Sequence, residues 1–310
     1  MVVGIEFWIG FLAFLGLMLA LDLGVFHRDS HVVTFKEACA WSAVWVTLAL
    51  IFNLGIYFYF GAQPALEFLT GYVVEYSLSV DNIFVFVMLF TFFAVPPQYQ
   101  HRVLFWGILG ALAMRGALIF LGAALIKEYQ WIVYIFGAFL IVTGIKMFFA
   151  SDKPQDLNQN PILKFCRRHL RVTDNYVGQH FFVRQNGLLY VTPLFLVLIM
   201  VEVTDLIFAV DSIPAILAIT QDPFIVFTSN AFAIMGLRSM YFMLSGVVHM
   251  FRYLKTGLSF VLVFIGTKMT MMAFYKIPTL VSLTVVVSIL SIAIIASIIA
   301  NRRDKLTASS

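Results

Sequence analysis

Apolar runs of about 20 residues, each long enough to span a bilayer, recur along the whole sequence, over approximately residues 5–26, 38–60, 66–94, 102–125, 131–149, 188–219, 224–248, 257–275 and 278–300. Nine such runs predict an all-α, polytopic membrane protein with nine transmembrane helices. Composition agrees: 62% of the 310 residues are hydrophobic and 12% charged, where a soluble domain carries roughly a quarter charged residues. The first run has no basic segment before it and no small-x-small cleavage site, and it exceeds the apolar core of a signal peptide. A retained helix is expected there.

Lysine and arginine in the loops fix an orientation, because the cytoplasmic side carries the excess. One side has Arg28, Lys36, Arg102, Lys153, Lys164, Arg167, Arg168, Arg171, Arg184, Arg252, Lys255, Arg302, Arg303 and Lys305; the other has Lys127 and Lys276. Fourteen against two predicts an inner-membrane protein with its N-terminus outside and its C-terminus in the cytoplasm. Cys39 and Cys166 then fall on the reducing side, so no disulfide framework is expected. The net charge of +4 is topology signal and contact with anionic lipid. It is not a nucleic-acid footprint.

The sequence also repeats itself. Residues 71–86, GYVVEYSLSVDNIFVF, align with 200–216, MVEVTDLIFAVDSIPAI, placing Glu75 on Asp205, Asp81 on Asp211 and Asn82 on Ser212. Arg115 matches Arg238, and TGIKM (143–147) matches IGTKM (265–269), pairing Lys146 with Lys268. Each unit holds three helices, so the second enters the membrane from the opposite side, as in the inverted repeats of secondary transporters. The resulting plan is two N-terminal helices (1–60), a first repeat (61–150), a basic cytoplasmic linker (151–187), a second repeat (188–275) and a last helix with its tail (276–310). In the linker, Pro161 can open a short amphipathic surface helix carrying Ile162, Leu163, Phe165 and Leu170, and Asn186-Gly187 reads as a turn back into the bilayer.

Glu75, Asp81, Glu202, Asp205 and Asp211 lie well inside predicted spans, with Asp22 near the inner end of the first. An acid at mid-helix costs about 2.5–3.5 kcal/mol, so these should share an interior rather than face lipid. Salt bridges to the structural or gating charges Arg115, Arg238, Lys146 and Lys268 are the bland account. Lys146 sits near a helix end and can snorkel, which leaves an acid excess and favours a cation site. Within VDSIP, Pro214 cannot donate to the carbonyl of Val210, and Ser212 and Asn82 are candidate caps for half-helices at a break. Glu75 and Asp81, like Asp205 and Asp211, lie about 120° apart on a straight helix, so either each helix breaks or each acid faces a different neighbour. Carboxylates, an amide oxygen, a hydroxyl and a carbonyl are hard donors suited to Mg2+, Ca2+ or Mn2+. All six histidines, His27, His31, His101, His169, His180 and His249, map to the cytoplasmic face.

These residues, with LDLGVF, FFVRQNGLLYVTPL, FTSNAFAIMGLRSMYF and FIGTKM, carry a resemblance over nearly the whole chain to the TerC family of bacterial membrane proteins, most closely its Alx-like members. The resemblance implies export of Mn2+ from the cytoplasm, with the paired acidic motifs as the metal site. Here those are Glu75, Asp81, Asn82, Glu202, Asp205, Asp211 and Ser212, with Asp22 a weaker addition; Glu202 has no acidic mate in the first half, and the Val210 carbonyl beside Asp211 is a further donor read from the residues themselves. Moving a dication outward against the membrane potential costs about 4.6 kcal/mol per 100 mV, so a driving gradient is needed and protons are the expected partner. No enzyme activity and no prosthetic group are expected; lipid is a partner, nucleic acid is not, and a homo-oligomer stays open. The rival readings are a Ca2+ transporter, a tellurite or other oxyanion carrier, an intramembrane aspartyl protease lacking its GxGD signature, and a membrane-assembly scaffold.

Overall fold

In a computed structural model the described residues are 4–21, 33–129, 131–149, 160–185, 187–245, 253–271, 274 and 277–307, with the side chains of 81, 84 and 302–307 excluded. They form α1 (Ile5–Leu21), α2 (Phe35–Phe60), α3 (Ala62–Phe92), α4 (Pro97–Glu128), α5 (Ile132–Phe149), α6 (Pro161–His169), β1 (Phe182–Gln185), β2 (Leu188–Val191), α7 (Pro193–Leu217), α8 (Pro223–Leu244), α9 (Leu254–Met271) and α10 (Thr279–Thr307). The chain is an all-α membrane protein with one small hairpin.

Among the described residues seven helices, α2, α3, α4, α5, α7, α9 and α10, are long and apolar enough to cross a membrane. Helix α1 has 17 described residues, at the lower end of the length a crossing takes. Helix α8 is buried on nearly every side, from Phe224 to Leu244, so it is the centre of the bundle rather than a lipid-facing span. Helix α3 packs on α8 and α4 on α7, α2 covers α8, and α10 lies along α9.

Local chemistry sets the boundaries. Thr34 and Glu37 cap α2 reciprocally, Glu37 N donating to Thr34 Oγ1 at 3.3 Å and Thr34 N to Glu37 Oε2 at 3.4 Å. A single residue, Gly61 at φ +91°, reverses the chain between α2 and α3, a conformation that suits glycine. Helices α5 and α9 touch backbone to backbone: a Cβ on Gly137 would stand 2.9 Å from the Gly266 carbonyl, and one on Gly144 would stand 2.8 Å from that of Ser259.

The span expected over 188–219 begins later, at Pro193. Leu188–Val191 is instead a strand paired antiparallel with Phe182–Gln185, Gln185 opposite Leu188, and Gly187 between them has φ +79°. An Asn-Gly dipeptide between extended segments is a hairpin signal, and the four apolar residues Leu188–Val191 ahead of Pro193 match the start of a helix in composition alone. The expected surface helix is present as α6. Asn160 Oδ1 caps it by accepting from Ile162 N at 2.9 Å, Leu163 and Cys166 face inward, and Phe165 faces out. The α6–hairpin segment is pinned to the bundle by Tyr176, whose hydroxyl donates to the Phe93 carbonyl at 2.6 Å, and by Arg102 over the Phe181 ring. Burial pushes the Tyr176 hydroxyl up to about 12.

Candidate ion-binding site

Helices α3, α4 and α7 bring Glu75, Arg115 and Asp205 together, each almost wholly buried. The Arg115 guanidinium forks onto Asp205, Nη2 to Oδ1 at 2.8 Å and Nε to Oδ2 at 3.0 Å, while Nη1 donates to Glu75 Oε1 and, at 3.3 Å, to Ser212 Oγ. Arginine suits this place because its planar fork meets a carboxylate with two parallel bonds. The ion-pair account therefore holds for two of the acids, with two carboxylates sharing one cation. Glu75 Oε2 is buried and accepts no hydrogen bond among the described residues.

Beside this triad lies a cavity of about 440 Å³ whose polar lining is Glu75, Asn82, Arg115, Thr143, Lys146, Asp211 and Ser212, closed by Leu78, Phe139, Met147, Phe208 and Leu262. Asp211 is only partly buried. Its one described hydrogen bond is long, from Thr143 Oγ1 at 3.4 Å. Six waters at about 30 Å³ each occupy roughly 180 Å³, so the cavity has room for a dication that keeps much of its hydration shell. Asn82 and Ser212, mates in the sequence repeat, both line it.

The expected break in α7 is absent. The helix runs unbroken through Pro214 to Leu217, because a proline so near the C-terminal end forfeits one backbone hydrogen bond while the packed neighbours hold its turn. Ser212 is thus a buried mid-helix acceptor for Arg115 and caps nothing. Val210 turns its side chain outward. Helix α3 is likewise continuous across Asn82, so the acids face different neighbours instead of flanking breaks: Glu75 and Asp205 face Arg115, and Asp211 faces α5.

Glu202 stands apart. It lies nine residues before Asp211, about 180° around the helix, with its carboxylate against Gly110 of α4 and Oε2 buried without a hydrogen-bond partner among the described residues. Arg238 is buried on α8 and, with Asp205, borders a second cavity of only about 10 Å³, the size of one water. Lys146 is exposed at the cavity rim, whereas Lys268 is buried in a different pocket. Asp22 and the Asp81 side chain lie outside the described residues, as do His27, His31 and His249. Among the described residues no three His, Cys, Asp or Glu side chains gather as a ready metal cage. The residue that sequence reasoning left out is Thr143; its signal was a hydroxyl inside the repeated TGIKM block.

The integral membrane protein TerC family matches residues 60–305 of this chain. An uncharacterized membrane protein of Myxococcus xanthus is 55% identical over 295 residues, covering 95% of this chain and 92% of that protein. The Alx protein of Escherichia coli strain K12, provisionally named a membrane-bound redox modulator, is 53% identical over 308 residues, covering 96% of each chain. A membrane protein of Rickettsia bellii is 44% identical over 292 residues, covering 94% and 97%. No solved structure matches the chain.

Proposed function

Because this chain belongs to the TerC family of integral membrane proteins, we propose that it exports a divalent cation, Mn2+, from the cytoplasm across the bacterial inner membrane in exchange for protons. The observation that carries this reading is Asp211: a carboxylate with no ion pair among the described residues, sharing a polar cavity with Asn82, Ser212 and Thr143 within an otherwise apolar bundle. Glu75 and Asp205 are already compensated by Arg115. Of the described acids on the cavity, Asp211 is therefore the one free to attract a cation, with hard oxygen donors beside it. Lys146 at the rim and Arg115 on the wall keep the cavity from becoming so negative that a dication would never leave.

In this reading the chain crosses the membrane nine times, α1 and α8 included, with its N-terminus outside and its C-terminus in the cytoplasm. The packing is consistent with the two three-helix units of the proposed inverted repeat being related by a two-fold exchange. If α3, α4 and α5 correspond to α7, α8 and α9, an axis exchanging them turns the α3–α8 contact into α7–α4, and both contacts are extensive. The same operation carries the Gly137–Gly266 approach onto Gly144–Ser259, and both approaches exist. The protein acts as a carrier, not an enzyme, with no prosthetic group; its partners are the metal ion, protons and lipid. The redox wording in the names of the Alx relatives finds no counterpart in the cysteines, since Cys39 and Cys166 are free thiols on different elements.

The test is Mn2+ uptake into inverted membrane vesicles. Asp211→Asn should abolish uptake while the protein still folds, and collapsing the proton gradient at clamped voltage should stop uptake by the parent. Undiminished uptake by Asp211→Asn removes the site from the mechanism; insensitivity to the proton gradient removes the antiport.

A further inference from the structure

A second polar pocket, of about 450 Å³, opens where α3 begins, α7 and α9 end and α10 begins; Gln63, Glu67, Lys268 and Thr279 supply its polar lining. Lys268 is 6% exposed, yet it makes no hydrogen bond or ion pair among the described residues. Its stem is buried while the ammonium opens onto the pocket, where a group that answers its charge is favoured. Glu67 is the carboxylate whose field reaches it, but the two form no ion pair. Glu67 is engaged instead by Gln63, whose Nε2 bridges Glu67 Oε1 at 2.8 Å and Thr279 Oγ1 at 3.0 Å. The pocket thus holds one positive and one negative group apart.

Two features say what fits between them. The first turn of α10, Thr279 and Leu280, lines the pocket, and the amides of a helix's first turn lack intrahelical acceptors and favour an anion. Lys268 and that turn together favour an anion, and Glu67 on the same pocket favours an ammonium. The pocket also lies at the ends of apolar spans, with Leu66, Ile219 and Leu280 on its rim, at the level where lipid headgroups meet hydrocarbon. Its volume is in the range of small-ligand sites.

We infer that this pocket binds the zwitterionic phosphoethanolamine headgroup of a phospholipid, phosphate on Lys268 and the α10 N-terminus, ammonium on Glu67. The inference is independent of the ion carried. On the proposed orientation it is an outer-leaflet site that ties α3, α9 and α10 together, two turns along α3 from Glu75.

The experiment is native mass spectrometry of the full chain in micelles supplied with phosphatidylethanolamine, phosphatidylglycerol or phosphatidylcholine, with free phosphoethanolamine as competitor. Loss of a charge-assisted hydrogen bond should weaken retention of phosphatidylethanolamine by about tenfold to a hundredfold in Lys268→Met, and Lys268→Arg should restore it. Glu67→Gln, at a partly exposed position that tolerates a neutral amide, should weaken phosphatidylethanolamine while leaving phosphatidylglycerol unchanged. Equal retention of the three lipids by the parent, or unchanged phosphatidylethanolamine binding in Glu67→Gln, overturns the proposal. So does competition by free phosphoethanolamine at concentrations equal to the lipid, which would make the ligand a soluble zwitterion.

Discussion

Replacing Arg115 by methionine leaves Glu75 and Asp205 facing each other across a buried space with no cation between them. The guanidinium makes two bonds to Asp205, one to Glu75 and one to Ser212. Breaking a buried pair from one side costs about 3–5 kcal/mol, most of it the penalty of the stranded charge. Here two carboxylates are stranded, so the upper part of that range applies. At roughly 2–4 °C per kcal/mol for a large domain, Arg115→Met, at about 4–5 kcal/mol, should melt about 8–20 °C below the parent, followed by tryptophan fluorescence in detergent. The triple variant Arg115→Met, Glu75→Gln, Asp205→Asn removes all the charges together and should recover most of the loss, since apolar or neutral replacements of whole buried networks are nearly neutral. Arg115→Met melting within about 2 °C of the parent, or a triple variant no more stable than the single one, would refute the account of the triad.

Three further expectations come from the same geometry. Asp211→Asn should change the melting temperature little, because its one described bond is 3.4 Å long, whereas Asp205→Asn should lower it through the loss of a charged fork; equal effects would mean that Asp211 is structural too. Gly137→Ala or Gly266→Ala sets a methyl against a backbone carbonyl at 2.9 or 2.6 Å and should cost about 1–3 kcal/mol, whereas Gly16→Ala, with nothing within 4 Å, should be silent in the same melting assay. Burial pushes the Cys166 thiol up from its ordinary value. Because the thiolate is the reactive form, its alkylation should accelerate only at a higher pH than that of a free cysteine in peptide, and a rate already at its plateau at pH 8 would contradict the burial of that face of α6.

The spans were legible in the sequence because a bilayer demands a length and a polarity, and Ile132–Phe149 or Thr279–Asn301 satisfy both with little else in them. Legibility failed where two signals overlapped. Leu188–Val191 is apolar enough for a helix yet sits beside a turn and ahead of Pro193. Pro214 resembles a break because it removes a backbone donor, yet the predicted end at 219, like the observed one at Leu217, puts it in the last turns, where that loss is tolerated. The division of the acids was hidden for another reason. Glu75 and Asp205 are compensated by one arginine that lies 40 residues from the first and 90 from the second, and no local pattern announces a contact at that separation.

That division decides how the site is read. A carboxylate inside a membrane can be accommodated by pairing it with a buried cation or by placing it on a polar cavity, and this chain uses both on the same helix: Asp205 takes the first course, Asp211 the second. The repeat makes the contrast sharper, since Glu75 and Asp205 are mates yet share the single Arg115 of the first half. One cation against two acids leaves the triad with a net negative charge, directly beside the cavity that Asp211 also faces. If ion pairing for stability were the purpose of all these acids, the cavity would be filled by a base reaching Asp211. Thr143 reaches it instead, with a neutral hydroxyl at 3.4 Å. With no ion pair among the described residues, an ionised Asp211 costs stability, and under the proposed function a cation that comes and goes would offset that cost without locking the helix in place.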